Sequence, residues 1–535
     1  MHELSYKITG NTTMSALTIN KNIPVFLLIV LIMASLTLAC AQSALPEEDA
    51  SWRVPAAQAS MTPAAQSPNL LSLLPPTRMP GAPILTPTPD IPHPVPSPRA
   101  DADQYIVQFG DTLGSIAEQY NISQEQLMEA NQLTDPNRLD VGQTLNIPIA
   151  TPEGGSPDFK IIPDSELVYG PASALFDLKA FVLSKGGYLA SYQEEVSDRI
   201  LSGADVVLRV AQDYSVNPRL LLAVLQYQSK WLTKANPKAA TLEYPLGLRE
   251  PARKGLYHQL AWAANQLNRG FYLYRVNGAS TWLLADGRVI PVATTINAGT
   301  AGVQNLFAQL YGEKEWIAAI TQDGLHATYV ELFGYPFDMA IEPLVPPQVK
   351  SPSLQLPFEP GKIWSFTGGP HAGWGSGSAW AALDFAPPGD LTGCVMSEDW
   401  VVAVGDGLIL RTGEGVVIQD LDVLGDLPVD GYEQTGWVIL YMHIDSKDRV
   451  QPGTYVKAGD AIGHASCEGG ISNGTHVHIA RRYNGEWIPA DQNLPFILDN
   501  WVSGSLGTEY DGFLERNGKR IEAEEFQTEE NDIQR

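Results

Sequence analysis

Residues 381–386 read Ala-Ala-Leu-Asp-Phe-Ala, an apolar run with one carboxylate, Asp384, at its centre. Burying that carboxylate unpaired would cost several kcal/mol, so any fold that takes this run inside must bring Asp384 a cation or strong hydrogen-bond donors. The stretch Gly474-Thr475-His476-Val477-His478-Ile479 offers candidates. Side chains alternate along a strand, so His476 and His478 point to one face. Five of the nine histidines (His371, His443, His464, His476, His478) fall between 371 and 478. Histidines on the wet face of a half-buried strand would explain the pair but not Asp384, whereas a bound metal meets its need.

These residues carry a resemblance. A histidine followed by an aspartate (His371, Asp384) leads into Val402-Ala403-Val404, Gly405-Asp406-Gly407 and a strand ending Tyr441-Met442-His443. Val456-Lys457-Ala458-Gly459-Asp460-Ala461-Ile462-Gly463 and Gly474-Thr475-His476-Val477-His478 complete the order. The stretch resembles the lysostaphin-like zinc endopeptidases that cut peptide cross-links of bacterial cell walls. The resemblance implies one zinc ion held by His371, Asp384 and His478, with His443 and His476 as catalytic residues beside the open position. Three protein ligands leave such a site room for water, whose pKa falls to about 7 on zinc. Which histidine is the base and which faces the oxyanion stays open. The family separates the first histidine from the aspartate by three residues, while here Ala372 to Leu383 intervene. This reads as a loop inserted at the groove rim. His464 is left outside the site, and His258 and His326 are ordinary residues of a helical region.

At 535 residues and 44% hydrophobic residues the chain supports several domains. A net charge of −26 excludes nucleic acid and anionic membrane surfaces as partners. Residues 1–40 contain the apolar run Val25 to Leu38, too short for a bilayer span and suited to a signal peptide. It ends Thr37-Leu38-Ala39-Cys40-Ala41, which resembles a lipoprotein signal with Cys40 as the lipidated residue, the favoured reading, and also fits ordinary signal-peptidase cleavage. The protein is therefore expected outside the cytoplasm, anchored to the outer face of the membrane through Cys40 or secreted. With Cys40 lipidated or removed, Cys394 and Cys467 are left to form a disulfide in an oxidising compartment.

Residues 41–103 hold 14 of the 40 prolines and read as an extended, disordered linker. Residues 104–150 read strand, helix, helix, strand and resemble the LysM module, from Tyr105-Ile106-Val107 through Gly110-Asp111-Thr112-Leu113 to Val141-Gly142-Gln143-Thr144-Leu145-Asn146-Ile147-Pro148. The resemblance implies binding of N-acetylglucosamine-containing glycan by Gly110, Asp111, Thr112 and Leu113 and by Asn137, Arg138 and Leu139.

Residues 160–343 read as mostly helical, with Asn217-Pro218 opening a helix. They resemble the lysozyme-like fold of lytic transglycosylases, but Gln228 stands where that family has its catalytic glutamate. An amide cannot deliver a proton as a general acid, so glycan cleavage would need a substitute such as Glu250. The segment is expected to hold glycan or to act as a spacer.

Residues 350–512 read as a mainly antiparallel β metallopeptidase domain, with an Asn484-Gly485 hairpin extending the His476/His478 strand. Residues 513–535 read as an acidic disordered tail. The fold class is thus multidomain: a small βααβ LysM module, a mostly α lysozyme-like domain and a mainly antiparallel β peptidase domain. The expected function is that of an exported, monomeric peptidoglycan hydrolase cleaving amides of stem peptides or cross-bridges. A non-catalytic wall-binding protein and a glycan-cleaving helical domain are the competing readings.

Overall fold

The computed structural model describes residues 78–79, 83, 87–97, 101–108, 111–120, 122–149, 152, 154–389, 393–421 and 430–535. The signal segment 1–40, Cys40 and Gly110 lie outside the described residues.

The LysM module pairs β1 (Asp103–Ile106) antiparallel with β2 (Thr144–Ile147) around the helices Leu113–Gln119 and Gln124–Ala130. Ser123 and Gln126 close the second helix reciprocally: the Gln126 amide donates to Ser123 Oγ (3.0 Å) and the Ser123 amide to Gln126 Oε1 (2.8 Å). The module core (Leu113, Ile116, Leu127, Leu145, Ile147) also takes in Val289. Val289 belongs to the hairpin β5 (Thr281–Leu283) and β6 (Val289–Pro291) of the helical domain. The module is therefore seated on that domain.

The helical domain carries a shorter hairpin, β3 (Gln193–Val196) and β4 (Arg199–Ser202), ahead of the helix Gly203–Tyr214. Ser202 Oγ accepts from the Asp205 amide at the start of that helix, and Ser215 ends it in the left-handed conformation. Asn217 caps Pro218–Ser229 as the sequence indicates, and the 20-residue helix Leu256–Arg275 packs against both Gly203–Tyr214 and Ala298–Ala308.

The proline-rich segment differs from expectation where it is described: residues 87–97 run along the helical domain. Between Pro92 and Pro94, His93 keeps its amide, which donates to Thr294 O (2.8 Å), and its ring stacks on Tyr274 at 4.3 Å. A segment that cannot bury a core of its own is ordered here by borrowing one.

The peptidase domain is built on a nine-stranded sheet. Its strands are β7 (Ile363–His371), β8 (Ala382–Ala386), β10 (Gly407–Gly413), β11 (Val416–Asp420), β12 (Trp437–Met442), β13 (Tyr455–Val456), β15 (Val477–Tyr483), β16 (Glu486–Trp487) and β21 (Asp532–Gln534). The order is β13-β10-β11-β12-β15-β8-β7-β21, with β16 on β15 and every pairing antiparallel. The β15–β16 turn places Asn484 (φ 48°) and Gly485 (φ 79°) both in the left-handed region, as a two-residue hairpin requires. A two-stranded sheet pairs β9 (Trp400–Val402) with β14 (Ala461–His464).

Both faces of the large sheet are covered. Val417, Ile439, Tyr441, Leu383, Phe385, Val477 and Ile479 point into the domain's own core. Residues of opposite parity (Ile418, Leu440, Met442, Ala382, Ala480) belong to the same apolar cluster as the helical domain. The helix Gly203–Tyr214 and its C-terminal turn lie on this second face: Trp487 Nε1 donates to Tyr214 O (3.3 Å) and Ser215 Oγ to Gly485 O (2.6 Å).

Residues 513–535 are not a disordered tail, and the peptidase domain runs to Arg535. A four-stranded sheet joins β17 (Ile497–Leu498), β18 (Trp501–Ser505), β19 (Gly512–Arg516) and β20 (Lys519–Glu522). The buried Asn531 donates to Phe366 O (3.0 Å) and Phe526 O (3.0 Å), directing β21 onto β7. The acidic residues occupy the wet positions of these strands while Leu514, Ile521 and Ile533 are buried.

Ending the chain after Asp511 would strand that core, at roughly 1.5–3 kcal/mol for each aliphatic side chain. Its thermal unfolding midpoint is expected to fall by several degrees or more. An unchanged midpoint in calorimetry would show that the C-terminal strands are dispensable.

Candidate metal centre

Strand register brings three sequence-distant residues together. His478 on β15 lies directly opposite Asp384 on β8, and Asp384 lies opposite Gly368 on β7. The β7–β8 register shifts twice, between Phe366 and Gly368 and again before His371, which turns the end of β7 toward Asp384. Gly368 is required there, because a Cβ would stand 2.7 Å from Asp384 Oδ2.

His371 Nε2 is 2.9 Å from His478 Nδ1 and 3.3 Å from Asp384 Oδ1, and His478 Nδ1 is 3.2 Å from the same oxygen. The outer nitrogens settle the tautomers. His371 Nδ1 meets Gly369 O at 2.8 Å and His478 Nε2 meets Gly373 O at 3.1 Å. Carbonyls only accept, so both rings donate outward and turn their lone pairs inward. Two imidazole lone pairs and a carboxylate oxygen, all buried, thus converge with no donor among them, and Asp384 Oδ1 has no hydrogen-bond partner among the described residues. Zinc, with bonds of about 2.0–2.1 Å, holds tetrahedral ligands about 3.3 Å apart, so this triangle fits it. The three residues form a group able to hold a metal ion.

Burial works against the Asp384 charge, but the neighbouring imidazoles, His371 first and then His476, hold its carboxyl well below the usual carboxylate range. Burial also opposes charge on His371, yet Asp384 outweighs it and raises that ring; for His478 burial prevails and lowers it.

His443 and His476 stand beside the triangle, their ring centroids 4.5 Å apart. His476 Nδ1 donates to Gly474 O (2.8 Å), leaving Nε2 3.8 Å from Asp384 Oδ2. His443 adopts φ +65°, a strained backbone for a non-glycine residue, fixed by the Ser466 amide and hydroxyl, which donate to His443 O at 2.7 and 3.0 Å. Its Nδ1 donates to Glu468 O (3.2 Å).

The disulfide Cys394–Cys467, with Cα atoms 5.3 Å apart, ties down the loop that supplies Glu468 and Gly474. His464 packs on Trp400 with tilted rings, centroids 4.0 Å apart, and His326 is buried beside Phe159 and Tyr335 in the helical domain.

The sequence gives no direct sign of two contributors from the connection between β18 and β19. Tyr510, at φ +68°, stacks on His371 with ring centroids 4.3 Å apart, and Glu509 accepts from the Ala372 amide at 3.1 Å. The insertion 372–383 is more than a rim loop. It supplies Gly373 O to His478, and Asn265 of the helical domain holds it through Gly377 N (2.8 Å) and Ser376 Oγ (3.1 Å).

In the LysM module, Asp111 Oδ2 accepts from Tyr105 Oη (2.8 Å) and the Gln108 amide (2.7 Å), while Thr112, Asn137 and Arg138 are exposed. Leu113 is buried in the module core and Leu139 is partly buried against it. In the helical domain Gln228 Oε1 accepts from Tyr311 Oη at 2.6 Å, and Glu250 is exposed ahead of the turn Pro251–Arg253.

Burial, with His476 and His478 alongside, holds the His443 imidazole down to about 3. Unfolded histidine titrates near 6.5, so between these values the unfolded chain binds the extra proton and stability falls as pH drops. In metal-free protein, His443→Asn is expected to flatten the loss of unfolding midpoint between pH 6.5 and 4. Identical pH profiles for variant and parent would contradict this.

The chain matches three family models: the LysM domain over residues 105–148, the LasA N-terminal domain over 160–346 and peptidase family M23 over 393–489. The M23 match includes His443, His476 and His478 and begins after His371 and Asp384, which the fold brings to them. Among curated proteins, Protease LasA of Pseudomonas aeruginosa UCBPP-PA14 is 28% identical over 361 residues, 61% of this chain and 74% of LasA. The Bacillus subtilis cortical fragment-lytic enzyme is 48% identical over 46 residues, 9% of this chain and 11% of that one. Of solved structures, the deep-sea M23 metalloprotease Pseudoalterin is 25% identical at a TM-score of 0.26, covering 32% of this chain and 95% of its own. The lysostaphin catalytic domain of Staphylococcus simulans is 24% identical at 0.17, covering 24% and 87%. With an M23 domain, a LasA-type N-terminal domain and a LysM domain in one polypeptide, the chain is a LysM-containing, lysostaphin-like M23 peptidase, a metalloendopeptidase acting on peptidoglycan.

Proposed function

We propose that the chain is an exported, zinc-dependent enzyme that hydrolyses amide bonds in the stem peptides or cross-bridges of peptidoglycan. The LysM module would hold it to the glycan through Asp111, Thr112, Asn137 and Arg138. The convergence of His371 Nε2, His478 Nδ1 and Asp384 Oδ1, three buried acceptors without a donor, carries this reading. His371, Asp384 and His478 would hold one zinc ion, which when bound supplies Lewis acidity that brings the pKa of water to about 7.

The chain's remaining contributions are positional and electrostatic. His443 and His476 both donate from Nδ1 to backbone carbonyls, leaving both Nε2 atoms for proton transfer. One ring takes the proton of the attacking water and the other faces the developing oxyanion. Tyr510 shields the outer face of His371 and stands at the exposed side of the site. Export agrees with the Cys394–Cys467 disulfide, and a lipid anchor at Cys40 would keep the enzyme beside the wall. Glycan cleavage gains no support from the helical domain, because Gln228 is an amide and Glu250 is exposed.

The test is release of products from purified peptidoglycan by the chain from residue 41 onward, intact and after limited proteolysis, with and without chelator. New amines that vanish with chelator, no new reducing or anhydro-sugar ends, and loss of both bound zinc and activity in His478→Ala are expected. Sugar ends, or chelator-insensitive amines, would overturn the proposal.

A further inference from the structure

The sheet face that carries Asp384 and His478 continues along β15 through Ala480 to Arg482. At about 3.3 Å per residue, Arg482 lies about 13 Å from His478 on the same face. Arg411 joins it there, because Arg411 pairs with Ile418 on β11, and Ile418 pairs with Leu440 beside Ala480. An apolar floor thus leads from the metal-binding residues to two buried guanidinium groups.

Both guanidiniums lean on one carboxylate of their own domain. Glu433 accepts from Arg411 Nε (3.2 Å) and from Arg482 Nη2 (3.0 Å). Arg482 Nε is buried without an acceptor among the described residues. Buried guanidiniums are stabilised by carboxylates, and a further carboxylate reaches this pair from outside the domain.

The helical domain supplies it. Asp213, at the end of the helix Gly203–Tyr214, brings Oδ1 to 3.5 Å from Arg411 Nη1, and Gln212 O accepts from Arg482 Nη1 at 3.3 Å. The Arg411 contact is the looser of the two that Asp213 makes: its other oxygen is held at 2.5 Å by Arg209 of its own helix, which also pairs with Glu414. The helix end therefore presents one carboxylate and one peptide carbonyl to the arginines, the groups an acidic peptide would present.

We propose that Arg411 and Arg482 form a carboxylate-binding subsite of the peptide groove, occupied in this structure by Asp213 and Gln212 as surrogates for the ligand. It takes a peptide bearing a carboxylate about four extended residues from the scissile amide. This rests on the proposed function, in which the same sheet face is where the peptide lies.

The test uses the full, zinc-loaded chain and two synthetic peptides that differ only in carrying a carboxylate or its amide at that distance from the scissile bond. Charge-assisted hydrogen bonds contribute about 1.5–3 kcal/mol, which is roughly ten- to hundredfold. Asp213→Asn, which removes the competing carboxylate, is expected to favour the acid peptide in kcat/KM by at least about tenfold. Adding Arg411→Gln should bring the ratio to about one. Equal cleavage of both peptides by Asp213→Asn would overturn the subsite and leave the peptidase reading intact.

Hydrogen exchange on the unmutated chain decides the matter where the variant does not fold or no peptide is cut. Excess acid peptide should speed exchange in residues 207–214, and its amide twin should not. If both act alike, or neither acts, the subsite is refuted. If the acid peptide acts but nothing is ever cleaved, the subsite stands and the peptidase reading falls.

Discussion

Asp384 is the residue on which the structure turns. It sits inside a strand whose neighbours are all apolar, in the middle of a sheet covered on both faces, and the two rings nearest it offer lone pairs. Such a cluster is unfavourable as a set of acceptors and becomes favourable around a cation. The surroundings are arranged for that outcome. Gly368 leaves room for the carboxylate, Gly369 O and Gly373 O fix both tautomers, and Tyr510 closes over His371. Metal affinity and local fold stability are coupled here, since the site's ligands come from three different strands.

The second organising constraint is the double burial of the sheet. Strands β11 and β12 have no wet face: every residue of Val416–Asp420 and Trp437–Met442 is buried. One side is the domain's own core and the other is the helical domain, whose contacts include a buried ionic group spanning Arg209, Asp213, Glu433 and Arg482. Buried pairs of this kind fix orientation more than they add stability. They set the end of the helix Gly203–Tyr214 on the face that also carries the metal-binding residues, so access to that face and seating of the helix are linked.

Much of this was legible in the sequence. Asp384, His476 and His478 stand out through a carboxylate in an apolar run and a His-x-His strand, which are local patterns, whereas His443 was named only through the family resemblance. The run Trp437-Val438-Ile439-Leu440-Tyr441-Met442 was read only as a strand ending at His443, although an unbroken apolar run is the pattern of a strand buried on both faces. What covered its second face could not be read, because that contact joins segments more than two hundred residues apart. Tyr510 and Glu509 were likewise hidden, Glu509 meeting Ala372 across 137 residues of sequence. The acidic C-terminus misled because composition was weighed above pattern: Asn517-Gly518 is a hairpin turn between alternating strands, and Asn531 satisfies the carbonyl of Phe366, 165 residues away. The helical segment was read as lysozyme-like from a few landmarks, while its match is to the LasA N-terminal domain.

X-ray absorption at the zinc edge on the purified chain tests the central claim most directly. The account predicts a shell of nitrogen and oxygen neighbours at about 2.0–2.1 Å with outer-shell scattering from two imidazoles and no sulfur. A spectrum showing sulfur ligands, or one without imidazole scattering, would contradict it.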